Sequence, residues 1–286
     1  MISNRALFHS VALGLLLTGA LLAIDHSSIE AAPGGGGGVV LAIGGGTTPR
    51  PAIREALRLA GSDHPEKVTV VVLAYASSLD DRGEGSAAMW IEEGATSARV
   101  APDDAAEAAR LIAGADVIWM GGGSQNRLLD DLERMELVDD IQGAHARGAL
   151  VGGTSAGAAV LGSHCIAGSP EPEAYVVGAM KAREGLGLLA DTIVDQHFRE
   201  RKREGRLLTA VLDAGGVRGF GVSESTALFF NGEDVRLIGE GVVVVFDASL
   251  VDLDESDAGP KAGALRSANG IVTKILSPKR DAVRAR

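Results

Sequence analysis

The chain has 286 residues, of which 46% are hydrophobic, 23% are charged and 3% are aromatic, and its formal net charge is −11. This composition is typical of a globular domain, and the negative charge argues against a nonspecific nucleic-acid-binding protein, which needs a basic surface. The scarcity of aromatic residues also disfavours a surface on which bases or sugars stack. Cys165 is the only cysteine, which excludes an internal disulfide and a multi-cysteine metal site. Because of the negative charge and the few aromatic residues, we expect no nucleic acid among the partners.

The N-terminal residues carry the marks of an export signal followed by a spacer. Arg5 precedes an apolar run at residues 11–23, and residues 31 and 32 are both alanine. The run is shorter than the roughly 20 residues that span a bilayer. We assign residues 1–32 to a signal peptide, with an uncleaved membrane anchor as the alternative. Residues 33–38, one proline and five glycines, are typical of a flexible linker. We expect a secreted or periplasmic protein without stable membrane insertion after signal removal.

Residues 39–286 predict a single catalytic α/β domain. Apolar runs without interruption are typical of strands that are buried on both faces of a parallel sheet. Strands that alternate with helices indicate right-handed crossovers, and active sites in such sheets form at the carboxyl ends of the strands. The predicted strands are 39–43, 68–74, 116–120 and 149–152, the predicted helices are 50–59, 105–113 and 128–141, and glycine-rich turns lie at 44–46, 121–123 and 152–153.

The pattern changes near residue 219, where short apolar segments follow one another closely. Segments of this kind indicate strands or hairpins that extend the sheet. Residues 252–269 are polar and weakly patterned, so we expect a loop there. The predicted strands of this region are 220–222, 226–230, 235–238, 242–246 and 271–276.

The central motif is Gly-x-Ser-x-Gly at residues 153–157, directly after an apolar strand and before a run of small residues. A tight turn from strand to helix lifts the central hydroxyl out of the backbone, and small neighbours allow the turn to close. The helix N-terminus behind the serine offers unpaired N–H groups that stabilise an oxyanion. The motif therefore predicts Ser155 as a nucleophile.

A nucleophilic serine needs a base, and the base needs a third group to orient it. His197 is the favoured base because it follows the apolar pair 193–194 and so lies just past a strand end. His145 is assigned to a solvated helix surface, and His164 is too close along the chain to reach Ser155 easily. Spacing leaves three candidates open for the orienting acid: Glu171, Glu173 and Asp195.

A mixed run of charges follows His197 at residues 199–206. Such a run is typical of a solvated helix face. Because arginine pairs bidentately with carboxylates, the same run beside His197 could also bind an acidic substrate.

The segments GGTSAGA at 152–158 and DQHF at 195–198 resemble those of the cyanophycinases, in the dipeptidase E type of serine peptidases. The similarity spans most of residues 39–250 and continues weakly to residues 275–278. The resemblance implies an α/β fold, with a mostly parallel sheet flanked by helices, similar to the class I glutamine amidotransferase and flavodoxin-like sandwiches with added C-terminal strands. It also implies a catalytic triad of Ser155, Glu173 and His197, with Glu171 as a weaker alternative acid, no cofactor or metal, and a homodimer.

The resemblance also assigns the residues around the triad. Gly122 or Gly123, together with Ala156, would form the oxyanion hole, in agreement with the N–H groups that a glycine turn offers at a strand end. Ser223 departs from the acid that is common at its position, so a second acidic contact there is in doubt. The substrate-binding residues that the resemblance implies are Gln125, Asp195, Gln196, Arg201, Arg203, Arg206 and Glu224.

The activity implied is the degradation of cyanophycin, a polyaspartate with arginines on its side chains, to β-Asp-Arg dipeptides. Export favours this polymer substrate, since a scavenged polymer has to be cut outside the cell. One alternative is an exported peptidase for aspartyl dipeptides or other acidic peptides. Another is a binding module on the same fold that has no catalytic activity, although the set of Ser155, Glu173 and His197 argues against it.

Overall fold

The computed structural model describes residues 37–61, 67–79, 82–167, 174–232, 234–253, 261–265 and 267–278, so the predicted signal peptide lies outside the described residues. The helices α1 to α7 are Arg50–Ala60, Glu84–Glu92, Ala105–Ala113, Gln125–Arg134, Val138–Ala146, Ala156–Ala159 and Glu204–Asp213. The strands β1 to β15 are Val40–Ile43, Thr69–Leu73, Ser97–Val100, Val117–Met120, Leu150–Thr154, Gly162–Ile166, Ala182–Glu184, Leu189–Asp195, Arg218–Val222, Thr226–Asn231, Asp234–Gly239, Val243–Asp247, Asp252–Leu253, Ala268–Asn269 and Val272–Leu276.

A seven-stranded sheet forms the centre, in the order β11-β10-β1-β5-β4-β2-β3. Five neighbouring strands of this sheet, β1, β5, β4, β2 and β3, are parallel. Strands β10 and β11 are added antiparallel at the edge beside β1. Strand β1 is buried along its whole length, as expected for an apolar strand in the middle of a parallel sheet. The predicted α/β fold class is confirmed. The carboxyl ends of β1, β4 and β5 lie side by side, which brings the turns after these strands to one edge.

A second sheet of six strands, in the order β15-β12-β9-β8-β6-β7, accompanies the first. The expectation that all C-terminal strands extend one sheet is therefore wrong, because β9, β12 and β15 belong to the second sheet. Apolar patterning indicates a strand but does not specify its neighbours. The backbone N–H of His197, just past the end of β8, donates to the Gly44 carbonyl at 2.6 Å. The second sheet thus delivers His197 to the edge where β1 ends.

Several local predictions differ from the structure. The predicted helix 128–141 is two helices, α4 and α5, because Glu136 between them adopts a left-handed φ of 57°. The predicted loop 252–269 contains the short antiparallel pair β13 and β14. Five elements had no assignment from the sequence: α2, β3, β6, β7 and α7. None of the helices in the described part of the chain is long and apolar enough to cross a membrane.

The end of the predicted linker 33–38 is packed against the domain. Gly38 donates its N–H to the His145 carbonyl at 2.7 Å, and a Cβ on Gly38 would lie 1.9 Å from the Ala149 oxygen. The packed structure therefore begins before residue 39. His145 is half-buried here instead of solvated, and its Nε2 is buried without a hydrogen-bond partner. Burial lowers the pKa of His145 below its usual 6.5.

This burial predicts a loss of stability in mild acid. Below pH 6.5 the unfolded chain takes up a proton on His145, whereas the folded chain resists protonation, so the free energy of unfolding should fall with pH. A His145→Leu variant should lose less stability than the parent between about pH 7.5 and 5.5. Urea denaturation at the two pH values measures the difference, and an equal loss in both proteins would contradict the assignment.

Candidate active site

Ser155 occupies a strained turn between β5 and α6. Its backbone φ is 53° and its ψ is −113°, a combination that non-glycine residues rarely adopt. The turn closes only with glycine on both sides, since a Cβ on Gly153 would lie 2.5 Å from the Gly157 carbonyl carbon. A Cβ on Gly157 would lie 2.2 Å from the Met120 oxygen. The Gly-x-Ser-x-Gly pattern is therefore a steric requirement of a nucleophile elbow.

The His197 side chain reaches Ser155 from the second sheet. Its Nε2 lies 2.9 Å from Ser155 Oγ. The imidazole packs against the glycine turn 44–46, where a Cβ on Gly45 would lie 2.3 Å from His197 Cε1. His197 itself has a left-handed φ of 47°. The two sheets thus hold the hydroxyl and the imidazole in hydrogen-bond contact.

Glu224 completes the chain of hydrogen bonds. It lies on the turn after β9, and its Oε1 is 2.5 Å from His197 Nδ1. The family resemblance implied Glu224 as a substrate contact and Glu173 as the orienting acid. Glu173 and the alternative Glu171 lie outside the described residues. The structure therefore places Glu224 at the position against Nδ1 that the orienting acid of a serine triad occupies.

Two of the predicted oxyanion-hole residues, Gly122 and Ala156, lie beside Ser155. A Cβ on Gly122 would lie 3.5 Å from Ser155 Cβ, so the turn after β4 stands directly beside the nucleophile. Within the described residues, the N–H groups of Gly122 and Gly123 have no backbone acceptor. The Ala156 N–H is in the first turn of α6, where helical N–H groups lack a partner in their own helix. These donors can stabilise a negatively charged oxygen beside Ser155.

Gln125 and Gln196, two predicted substrate contacts, differ in their surroundings. Gln125 is the first residue of α4, and its Nε2 donates to the Ile166 carbonyl at 3.0 Å, which ties α4 to β6. Gln196 is buried, and its Oε1 has no hydrogen-bond partner in the structure. One N–H of the Gln125 amide is therefore engaged within the protein, and the amide oxygen of Gln196 is shielded from solvent.

The arginines of the charged run separate into two environments. Arg203 and Arg206 are buried and pair with the buried Asp195, with Nη-to-Oδ1 distances of 3.3 and 3.2 Å. Arg203 also donates to the Gln196 carbonyl at 2.8 Å. Arg201, in contrast, is exposed. Of the three arginines that the resemblance implies as substrate contacts, only Arg201 is exposed, because Arg203 and Arg206 turn inward to Asp195.

The buried pair makes Arg203 important for stability. Arg203→Gln should lower the free energy of unfolding by roughly 2–3 kcal/mol, since it removes one partner of the buried Asp195 while Arg206 remains. The exposed neighbour supplies the control, and Arg201→Gln should change this free energy by less than about 0.5 kcal/mol. Urea denaturation of both variants tests the difference. Equal stability of Arg203→Gln and the parent would show that the pair does not stabilise the fold.

Two further observations concern a cysteine nucleophile and a metal site. Cys165 is buried, and burial raises the pKa of its thiol to about 12, so it does not supply the thiolate that a cysteine nucleophile requires. In the described part of the chain, no group of three or more His, Cys, Asp or Glu side chains could hold a metal ion.

A model of a known protein family matches the part of the chain that carries this site. The sequence model of peptidase family S51 matches residues 92–238, just over half of the chain. The match includes Ser155, His197 and Glu224.

Several similar proteins are cyanophycinases. The cyanophycinase of Geminocystis herdmanii (strain PCC 6308) is 40% identical over 136 residues, which cover 47% of this chain and 50% of the relative. That of Trichormus variabilis (strain ATCC 29413 / PCC 7937) is 37% identical over 145 residues, which cover 50% of this chain and 49% of the relative. The matched region thus spans about half the length of these relatives.

Solved structures of peptidases share the fold. A peptidase from an acI-B1 Actinobacterium superimposes with a TM-score of 0.61 and 18% identity, over 85% of this chain and 96% of that chain. A putative peptidase E protein from Listeria monocytogenes EGD-e gives a TM-score of 0.53 and 18% identity, over 72% of this chain and 100% of that chain. At this level of identity, the likeness shows the fold alone.

Proposed function

Since the chain belongs to peptidase family S51, we propose that it is a serine peptidase that degrades cyanophycin, with Ser155 as its nucleophile. The observation that carries the proposal is the chain of contacts from Ser155 Oγ to His197 Nε2 and from His197 Nδ1 to Glu224. A hydroxyl, an imidazole and a carboxylate in this order form the arrangement that activates a serine for acyl transfer.

The first half of the reaction acylates Ser155. His197 Nε2 takes the hydroxyl proton while Oγ forms a bond to the scissile carbonyl carbon, and the carbonyl oxygen becomes an oxyanion. The N–H groups of Gly122 or Gly123 and Ala156 stabilise this oxyanion. The Glu224 carboxylate accepts a hydrogen bond from Nδ1–H of His197 and stabilises the imidazolium. The C–N bond then breaks, and the departing amine takes the proton from Nε2.

The second half releases the acyl group. Water gives a proton to His197 Nε2 as its oxygen attacks the ester carbonyl, and a second oxyanion forms in the same hole. When the C–O bond to Ser155 breaks, Oγ recovers the proton from Nε2. The products are an acid and an amine, and the enzyme returns to its starting state.

The cyanophycinase relatives support the choice of substrate. In cyanophycin the aspartate side-chain carboxyls are amide-linked to arginines, so most of its free carboxylates are the α-carboxylates of those arginines. The exposed Arg201 lies four residues after His197, and we expect it to pair with one of these carboxylates. The proposed products are β-Asp-Arg dipeptides. The apolar run at residues 11–23 supports export of the protein to the periplasm or the medium.

The test is to incubate the purified protein with cyanophycin, with casein and with Asp-Arg dipeptides, and to identify the products by mass spectrometry. We expect β-Asp-Arg dipeptides from cyanophycin and no cleavage of casein. Cleavage of the dipeptides alone would replace the polymer substrate with small aspartyl peptides. A folded protein that binds cyanophycin but cleaves none of the three would be a binding module.

A further inference from the structure

Glu224 lies on a tight turn whose conformation has to be held in place. Ser225, the next residue, has a left-handed φ of 52°, which is unfavourable for a residue other than glycine. Hydrogen bonds from several segments hold the backbone around Glu224. Ser225 donates its N–H to the Gly45 carbonyl at 2.9 Å, and the Thr226 hydroxyl donates to the Glu224 carbonyl at 3.0 Å.

A further hydrogen bond joins Glu224 to the turn that carries His197. The Glu224 N–H donates to Oε2 of Glu200 at 3.0 Å. Glu200 follows His197 by three residues, in the turn between β8 and α7. Its carboxylate therefore joins the segment that carries the imidazole to the segment that carries the acid. A hydrogen bond from an N–H to a carboxylate is stronger than one to a neutral acceptor.

We propose that Glu200 is a positioning residue for the relay, which holds Glu224 against Nδ1 of His197 by accepting the Glu224 N–H. This inference rests on the proposed function, since it concerns the same site. The N–H of Glu224 and its side chain start from the same residue, so a shift of this backbone moves the carboxylate relative to the imidazole. Small displacements of catalytic groups reduce rates strongly.

The position of Glu200 at the surface makes the proposal testable without damage to the core. Its side chain is 31% exposed, and the nearest ion-pair partner, Arg199, is 3.9 Å away. Thr226, which holds the Glu224 carbonyl, is fully buried, so its replacement would disturb the packing as well. Glu204 is an exposed acid of the same charged run and supplies a matched control.

The experiment compares Glu200→Ala, Glu200→Gln and Glu204→Ala by two readouts that need no peptide substrate. One readout is the rate at which a fluorophosphonate labels Ser155. The other is the downfield proton NMR resonance of the Nδ1–H of His197. Glu200→Ala should slow labelling on the order of tenfold, the effect of losing one charge-assisted hydrogen bond, and should weaken or broaden the resonance.

Glu200→Gln keeps an oxygen that can accept the Glu224 N–H, so it should recover labelling to within about threefold of the parent and restore the resonance. Glu204→Ala should behave like the parent in both readouts. Parent-like behaviour of Glu200→Ala would overturn the proposal, and so would equal impairment of Glu200→Gln and Glu200→Ala. If the parent cleaves no peptide, the proposed function fails, but the resonance in the three variants still decides the role of Glu200.

Discussion

Ser155→Ala should lose nearly all hydrolysis of cyanophycin, on the order of a millionfold in kcat, because the members of a serine triad act as a unit. The fold should be unchanged, since alanine fills less space than serine and the strained turn is built by Gly153 and Gly157. Release of dipeptides from the polymer measures the rate, and thermal unfolding measures the fold.

The control is His197→Ala, which should cause a loss of similar size. The double variant should be no worse than either single variant, since removing one member already disables the unit. Turnover by Ser155→Ala close to that of the parent would exclude Ser155 as the nucleophile.

Glu224→Gln should lower kcat by roughly 10⁴-fold, because an amide opposite Nδ1 favours the wrong imidazole tautomer. Glu173→Gln should have a much smaller effect if Glu224 alone orients His197. The exposed Glu240 lies on the neighbouring turn, and Glu240→Gln controls for the loss of one negative charge near the site. The kcat values on cyanophycin decide between the two acids. A large loss in Glu173→Gln together with a small loss in Glu224→Gln would assign the orienting role to Glu173.

The position of Ser155 could be predicted from the sequence because its signal is local. A strand, a turn and a helix start follow one another within residues 150–159, and steric limits require glycine at positions 153 and 157. The placement of His197 past a strand end was also predictable, since the apolar residues before it indicate β8. Local patterns of this kind predict the structure correctly because they depend only on neighbours along the chain.

The place of Glu224 could not be predicted in the same way. It depends on the parallel pairing of β8 with β9, where Asp195 lies opposite Gly221, and this pairing brings the ends of both strands together. No pattern along the chain specifies which strand lies beside β8. The resemblance implied a substrate contact for Glu224, and the tertiary structure adds its contact with His197.

The burial of Arg203 and Arg206 was missed for a related reason. A mixed charge run is usually solvated, and the composition of residues 199–206 does not show that two of its arginines turn inward. The turn after His197 and the start of α7 point them at Asp195, the last residue of β8. Their burial follows from the geometry of that turn, which the charge pattern does not encode.

The most direct test of the central claim is to label the protein with a fluorophosphonate and to map the adduct by peptide mass spectrometry. Because Ser155 lies 2.9 Å from an imidazole that Glu224 orients, its oxygen should form a bond to phosphorus as fluoride departs. We expect a single adduct on Ser155, absent in Ser155→Ala and slowed in His197→Ala. A folded protein that gives no adduct, or that carries the adduct on another residue, would contradict the assignment of Ser155 as the activated nucleophile.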